Sequence, residues 1–150
     1  MILLAIRGGK MFQKIIQTDN SKTTIIIRFI VGSVFLSEGI QKFLFPLIRG
    51  AGRFEKIGLP SPEFLSYFVG SIEILCGALI LTGLLTRIAS VPTFIIMIVA
   101  IATTKLNIFV VDGFWQMMHS GRTDWAMLLG SLFLIIKGGG NWSLDKVFSK

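Results

Sequence analysis

The chain has 150 residues, 53% of them hydrophobic and only 15% charged, with fifteen Lys and Arg against eight Asp and Glu for a formal charge of +7. With a mean hydropathy of +0.76, it reads neither as a disordered tail nor as a water-soluble globule, which is about one-quarter charged. The basic residues lie between apolar runs instead of forming one polar stripe, which is how a membrane protein uses them and excludes a nucleic-acid-binding surface.

Residues 1–23 read as an N-terminal cytoplasmic or interfacial segment. No basic residue precedes Ile2-Leu3-Leu4, and Arg7 and Lys10 follow too soon for a cleaved secretory signal. Residues 11–16 mix apolar and basic residues as a segment lying on a membrane surface would, although a frayed tail explains them equally well. The first apolar run, 24–45, is long enough to cross a hydrocarbon core of about 30 Å at ~1.5 Å per helical residue, and it stops at Pro46. A second run, 64–85, follows a Pro60-Ser61-Pro62 turn and contains one charge, Glu73. Almost no loop separates it from the third run, 88–104, so these two helices are antiparallel neighbours. The third run is uncharged, and its Pro92 lies near the start, where a missing N–H does least harm.

Residues 105–123 are expected to form a longer connection, rich in aromatics and Met, that lies back on the bundle as a hairpin or interfacial cap around the Asp112-Gly113 turn signal. The fourth run, 125–136, needs the flanking turns at Asp124 and Lys137 to reach across. Gly138, Gly139 and Gly140 stop it, Trp142 reads as an interface anchor, and Ser143 caps a short surface helix over 144–148 within a tail of residues 139–150. The expected fold is all-α, an integral membrane four-helix bundle over residues 24–138. Four crossings place both termini on one side, which collects eight flanking Lys and Arg against five on the other. The positive-inside rule then makes both ends cytoplasmic, in a bacterial-type inner membrane.

Some residues exceed what an anchor requires. Arg28, Gly32, Phe35, Gly39 and Lys42 are spaced by four, three, four and three, so they form one stripe on the first helix, with Glu38 beside it and four residues before Lys42. The second helix repeats the spacing with Ser66, Gly70, Glu73, Gly77 and Ile80. Each charge at membrane depth costs roughly 2.5–3.5 kcal/mol on insertion scales, so Glu38 and Glu73 should point inward and at least one should meet Arg28, Lys42 or Arg87. Lys42 and Arg28 have a second option, snorkelling to opposite surfaces. A satisfied ion-pair network is a complete structural explanation; the functional one is that the charges line a polar pocket.

The strings RFIVGSVFLSEGIQKF, GLP, VGSIEILCGALILTGLLTRIAS and GRTDWAMLLGSLFLIIKGGGNWSLD, in that order over about residues 25–148, resemble the DoxX family of small four-helix membrane proteins. The resemblance implies a membrane subunit associated with oxidoreductases. The related DoxD type belongs to a thiosulfate:quinone oxidoreductase, and some DoxX proteins are linked to complexes handling thiol or oxidative stress. Arg28, Lys42, Glu73 and Arg87 occupy matching motif positions. Asp124 stands where a glutamate is more usual, and its shorter reach weakens it as a site residue.

Two functions follow. In the first, the chain is a quinone-linked subunit of a membrane oxidoreductase, with Arg28, Glu38, Lys42, Glu73 and Arg87 as the substrate-binding set and both guanidinium groups converging on Glu73. No covalently bound cofactor and no metal site is expected; a quinone suits the pocket. A single cysteine, Cys76, gives no disulfide framework or CxxC pair, and no haem ligand pair or flavin motif appears, so a soluble or membrane partner subunit must carry the electrons. Cys76 reads as a small core residue and His119, the one histidine, as a loop residue. In the second, it is a non-enzymatic membrane scaffold or a binder of lipid or small molecules. The bilayer is a partner in both, nucleic acid in neither, and self-association is open.

Overall fold

The computed structural model describes residues 17–149, and every regular element among them is helical. In chain order they are α1 (Thr24–Leu44), α2 (Ala51–Lys56), α3 (Pro62–Thr82), α4 (Thr86–Asp112), α5 (Phe114–Ser120), α6 (Arg122–Lys137) and α7 (Leu144–Phe148). Three of these, α1, α3 and α4, are long and apolar enough to cross a membrane. α6 has 16 residues, about 24 Å of helix at ~1.5 Å rise. The surface segment anticipated at 11–16 lies outside the described residues.

Local chemistry sets the boundaries. α1 ends just before Phe45-Pro46, because the residue preceding a proline is driven out of the helical region. Pro62 opens α3 at a position whose N–H has no helical partner anyway. Gly83, at φ +73°, closes α3, and Leu85 at φ +51° completes the reversal into α4. The long connection expected over 105–123 is corrected here: α4 continues through Asp112, since nothing between Lys105 and Asp112 breaks a helix. Gly113 then turns the chain, and only residues 114–120 form the short peripheral helix α5, none of whose residues is buried. With α4 beginning at Thr86, Pro92 falls inside it and not near its start.

α1 packs on α3 and α4 packs on α6, while α3–α4 and α1–α6 contacts close a ring. Val31, Phe35, Cys76, Ile80, Ala89, Met127 and Leu134 form the buried core. The outer faces carry Phe29, Leu75 and Leu129, each more than 60% exposed, as the hydrocarbon-facing surface of a membrane protein should. Between α4 and α6 the contact is polar: Thr93 Oγ1 and Ser131 Oγ lie 3.0 Å apart, and Ser90 Oγ donates to the Thr86 carbonyl at 2.7 Å. Small hydroxylated residues permit close approach, and the Ser90, Thr93 and Ser131 hydroxyls find partners without water.

Both predicted stripes face the α1–α3 contact. Gly32 and Gly39 meet Gly77 and Gly70, so the two backbones touch. A Cβ on Gly77 would lie 2.6 Å from the Leu36 backbone N and 2.9 Å from the Gly32 carbonyl, atoms that cannot rotate away. Gly77→Ala should therefore push the helices apart and destabilise by about 1–3 kcal/mol, read as a lower unfolding midpoint in detergent. An unchanged midpoint would show that the seam can open at no cost.

Candidate functional site

The close approach of α1 and α3 lets a charge pair form inside. Lys42 Nζ donates to Glu73 Oε2 at 2.5 Å, with the two side chains 9% and 3% exposed. Gly70 makes room, since a Cβ there would sit 3.3 Å from the Lys42 Cβ. Lys42 therefore turns inward although it is close to the end of α1, and its Nζ also lies 3.5 Å from the Glu38 carbonyl. Snorkelling, the alternative read from the sequence, is not taken. The carboxylate of Glu38 is half-buried and makes no ion pair among the described residues; with Arg53 of α2, it is the next charge felt at Glu73. Glu73 Oε1 accepts no hydrogen bond among those residues.

The arginines behave otherwise, and the expected convergence of Arg28 and Arg87 on Glu73 is corrected. Arg28 is 3% exposed and donates to four backbone carbonyls: Nε to Ile80 at 2.9 Å, Nη2 to Leu81 at 2.6 Å, and Nη1 to Gly139 at 3.1 Å and Trp142 at 2.5 Å. Two of these, Ile80 and Leu81, are carbonyls at the C-terminus of α3, where a cation is favoured, and the Ile80 oxygen also accepts the Gly83 N–H at 3.2 Å. Glu73 is two helical turns further up α3, roughly 10 Å at ~1.5 Å per residue. Arg87 is half-buried and donates from Nε to the Gln17 carbonyl at 2.9 Å.

Sequence reasoning missed the residue that completes this end. Asp145 of α7 is 1% exposed, and its carboxylate accepts from the Leu85 and Thr86 backbone N–H groups at 2.7 and 2.9 Å. It thereby caps α4, whose own N-cap residue supplies no side-chain acceptor. Its backbone N–H donates to the Gly83 carbonyl at 2.8 Å. Gly83 is doubly constrained, by its φ and because a Cβ would fall 2.6 Å from both Arg28 Cζ and Ser143 Cβ. Ser143 caps α7 by accepting from the Lys146 N–H at 3.2 Å. The segment after α6 is thus a clasp, tied also to the other terminus through Asp19 N–H to Lys137 O and Asn141 N–H to Ser21 O. Lys137 Nζ, 3.1 Å from Asp19, holds that half-buried carboxyl below the usual range, chiefly by hydrogen bonding.

At the opposite end Lys105 Nζ and Asp124 Oδ2 pair at 3.1 Å across α4 and α6, so the shorter aspartate still reaches a partner. His119 is exposed beside Arg122, and among the described residues no three His, Cys, Asp or Glu side chains are grouped to hold a metal. The structure thus divides the five candidates: Lys42, Glu73 and Glu38 lie together, whereas Arg28 and Arg87 serve the clasp end.

Comparison with known proteins finds a membrane-protein relative and a family model. The DoxX family model matches residues 23–106. The "Uncharacterized membrane protein Rv3486" of Mycobacterium tuberculosis is 49% identical over 143 residues, covering 91% of this chain and 88% of that protein. The "Putative oxidoreductase CatD" of Bacillus subtilis is 34% identical over 123 residues, covering 81% and 84%. No solved structure matches. The matched span takes in the α1–α3 seam with its Lys42–Glu73 pair, and the chain belongs to the DoxX family.

Proposed function

We propose that the chain is the membrane subunit of an oxidoreductase complex and that Glu73, with Lys42, receives the polar end of a quinone. The observation that carries this reading is the buried Lys42–Glu73 pair, with one carboxylate oxygen uncommitted among the described residues. In its protonated form Glu73 can pass a proton to a quinone oxygen, and Lys42 then stabilises the carboxylate left behind. A quinol takes two electrons and two protons: the electrons come from a partner subunit, because one cysteine and one histidine give this chain no relay of its own, and the second proton reaches the other quinone oxygen from water. The name of the Bacillus subtilis relative supports the oxidoreductase assignment. In this reading α6 is a fourth crossing, which puts both termini in the cytoplasm.

The commitment of four of the five Arg28 donors, and of both Asp145 carboxylate oxygens, to backbone groups favours a second reading, a scaffold whose polar residues only hold the fold. One experiment addresses both. Membranes containing the chain and its co-purifying subunits should reduce a short-chain ubiquinone analogue, membranes lacking the chain should not, and restoring it should restore the rate. Reduction that persists without the chain rejects the first reading. A reporter enzyme fused after Lys150 should be active only in the cytoplasm; activity only outside would reverse the orientation.

A further inference from the structure

α1 carries a second row of small and polar residues, on the face turned away from the core. Phe35, 1% exposed, marks the inner face, and Ser33 and Ser37 lie two residues on either side of it. At about 100° per residue both point outward. Gln41 continues the same row, four residues on. In a span these side chains face hydrocarbon, where polar groups without partners are costly; Ser33 Oγ donates within the helix to the Ile30 carbonyl at 3.3 Å, which leaves Ser37 and Gln41. Gln41 lies about seven residues beyond the middle of α1, roughly 10 Å, still inside a half-core of about 15 Å. Nor does its amide reach for the surface: Nε2 donates back along the helix to Ser37 Oγ at 3.0 Å, toward mid-membrane. The Ser37 hydroxyl hydrogen and Gln41 Oε1 then have no partner among the described residues. A groove of about 430 Å³ runs along this row, floored by Ser33, Ser37 and Gln41 and walled by residues including Phe29, Ile40 and Leu81.

We propose that this groove is the seam of a homodimer, filled by α1 of a second copy. The chemistry selects that occupant. All three floor residues are uncharged, and a hydroxyl or a carboxamide both donates and accepts, so each is complementary to its own mate. Copies in one membrane share an orientation, and a two-fold axis along the membrane normal sets Ser33, Ser37 and Gln41 at the same depth as their counterparts. The serines admit the partner helix between the larger side chains, as Gly32 and Gly39 already admit α3 on the inner side. This inference stands apart from the quinone reading, since it uses none of the same residues.

The test uses the full chain with its buried thiol removed, Cys76→Ala, in native membranes and in liposomes. Under mild copper-phenanthroline oxidation, added Ser37→Cys should give a disulfide-linked species of twice the chain mass, severalfold above an added Leu129→Cys on the lipid face of α6. Equal yields at the two positions, or no dimer at Ser37→Cys, overturn the proposal. As a second measurement, Gln41→Leu in the otherwise native chain should raise the dimer dissociation constant about tenfold, read by energy transfer between labelled copies in liposomes. An unchanged constant rejects the polar seam. An adduct of another mass in native membranes, with no dimer in liposomes, assigns the groove to a different protein and likewise overturns the second copy.

Discussion

Glu73→Gln should deplete the protein from the membrane, and adding Lys42→Met should bring it back without restoring activity. The single substitution keeps shape and an acceptor for Lys42 but leaves an ammonium buried without its counter-charge. Breaking one partner of such a pair costs roughly 3–5 kcal/mol, whereas replacing both by neutral groups of similar volume is often neutral or stabilising. Lys42→Met alone should be as harmful as Glu73→Gln, because it strands the carboxylate instead. The double variant therefore separates folding from chemistry. If the pair is the quinone site, the double variant accumulates normally but quinone reduction by the complex falls to background, since the proton-transferring group is gone. A double variant that accumulates and turns over at the parental rate would end the site hypothesis and leave the pair as interhelical glue. Accumulation is measured by quantitative immunoblotting of membranes and turnover in the same samples.

Asp145→Ala should produce the largest stability loss outside the spans, with no change in turnover per folded molecule. Two backbone donors at the start of α4 lose their acceptor in a buried site, and each unsatisfied group costs about 1–3 kcal/mol. Arg28 also loses the negative charge of Asp145, which acts on it across the clasp. The expected total is roughly 2–5 kcal/mol, with Asp145→Asn intermediate because one side-chain oxygen still accepts. Thermal unfolding in detergent measures the loss, and activity normalised to folded protein measures the rest. A parental midpoint for Asp145→Ala would mean that water replaces the carboxylate. A selective fall in normalised turnover would mean that the clasp end belongs to the reaction.

The division between what the sequence revealed and what it hid follows from the kind of interaction. The four-three spacing of Gly32, Phe35, Gly39 and Lys42 was legible because helical periodicity is a property of the string, and its match to Gly70, Glu73 and Gly77 announced the α1–α3 seam. That Lys42 and not Arg28 meets Glu73 was not legible. Arg28 binds carbonyls, and every residue carries one, so no side-chain pattern advertises those acceptors. Asp145 was hidden for a related reason. Gly138, Gly139 and Gly140 signalled a helix stop, and nothing in three glycines says whether the chain departs or folds back. Here it folds back: a Cβ on Gly139 would lie 2.7 Å from Thr86 Oγ1, so its absence is what lets the tail return. The extension of α4 to Asp112 was obscured by Lys105, whose charge looks like a span boundary until Asp124 is seen opposite it.

The clasp also imposes a timetable on biogenesis. Arg28 enters with the first span, but the Gly139 carbonyl that helps satisfy it is 111 residues later in the chain. At about 5–20 residues per second of synthesis, roughly 6–22 s pass between the two. Until α3 supplies the Ile80 and Leu81 carbonyls the whole guanidinium must be held by lipid headgroups or water at the membrane surface, which its position near the start of α1 allows, and from then until Gly139 and Trp142 are made Nη1 still needs such a partner. The first helix therefore settles at its final depth only when the last segment has been made, and a chain released before Gly139 remains a set of spans whose opening helix is still unfinished.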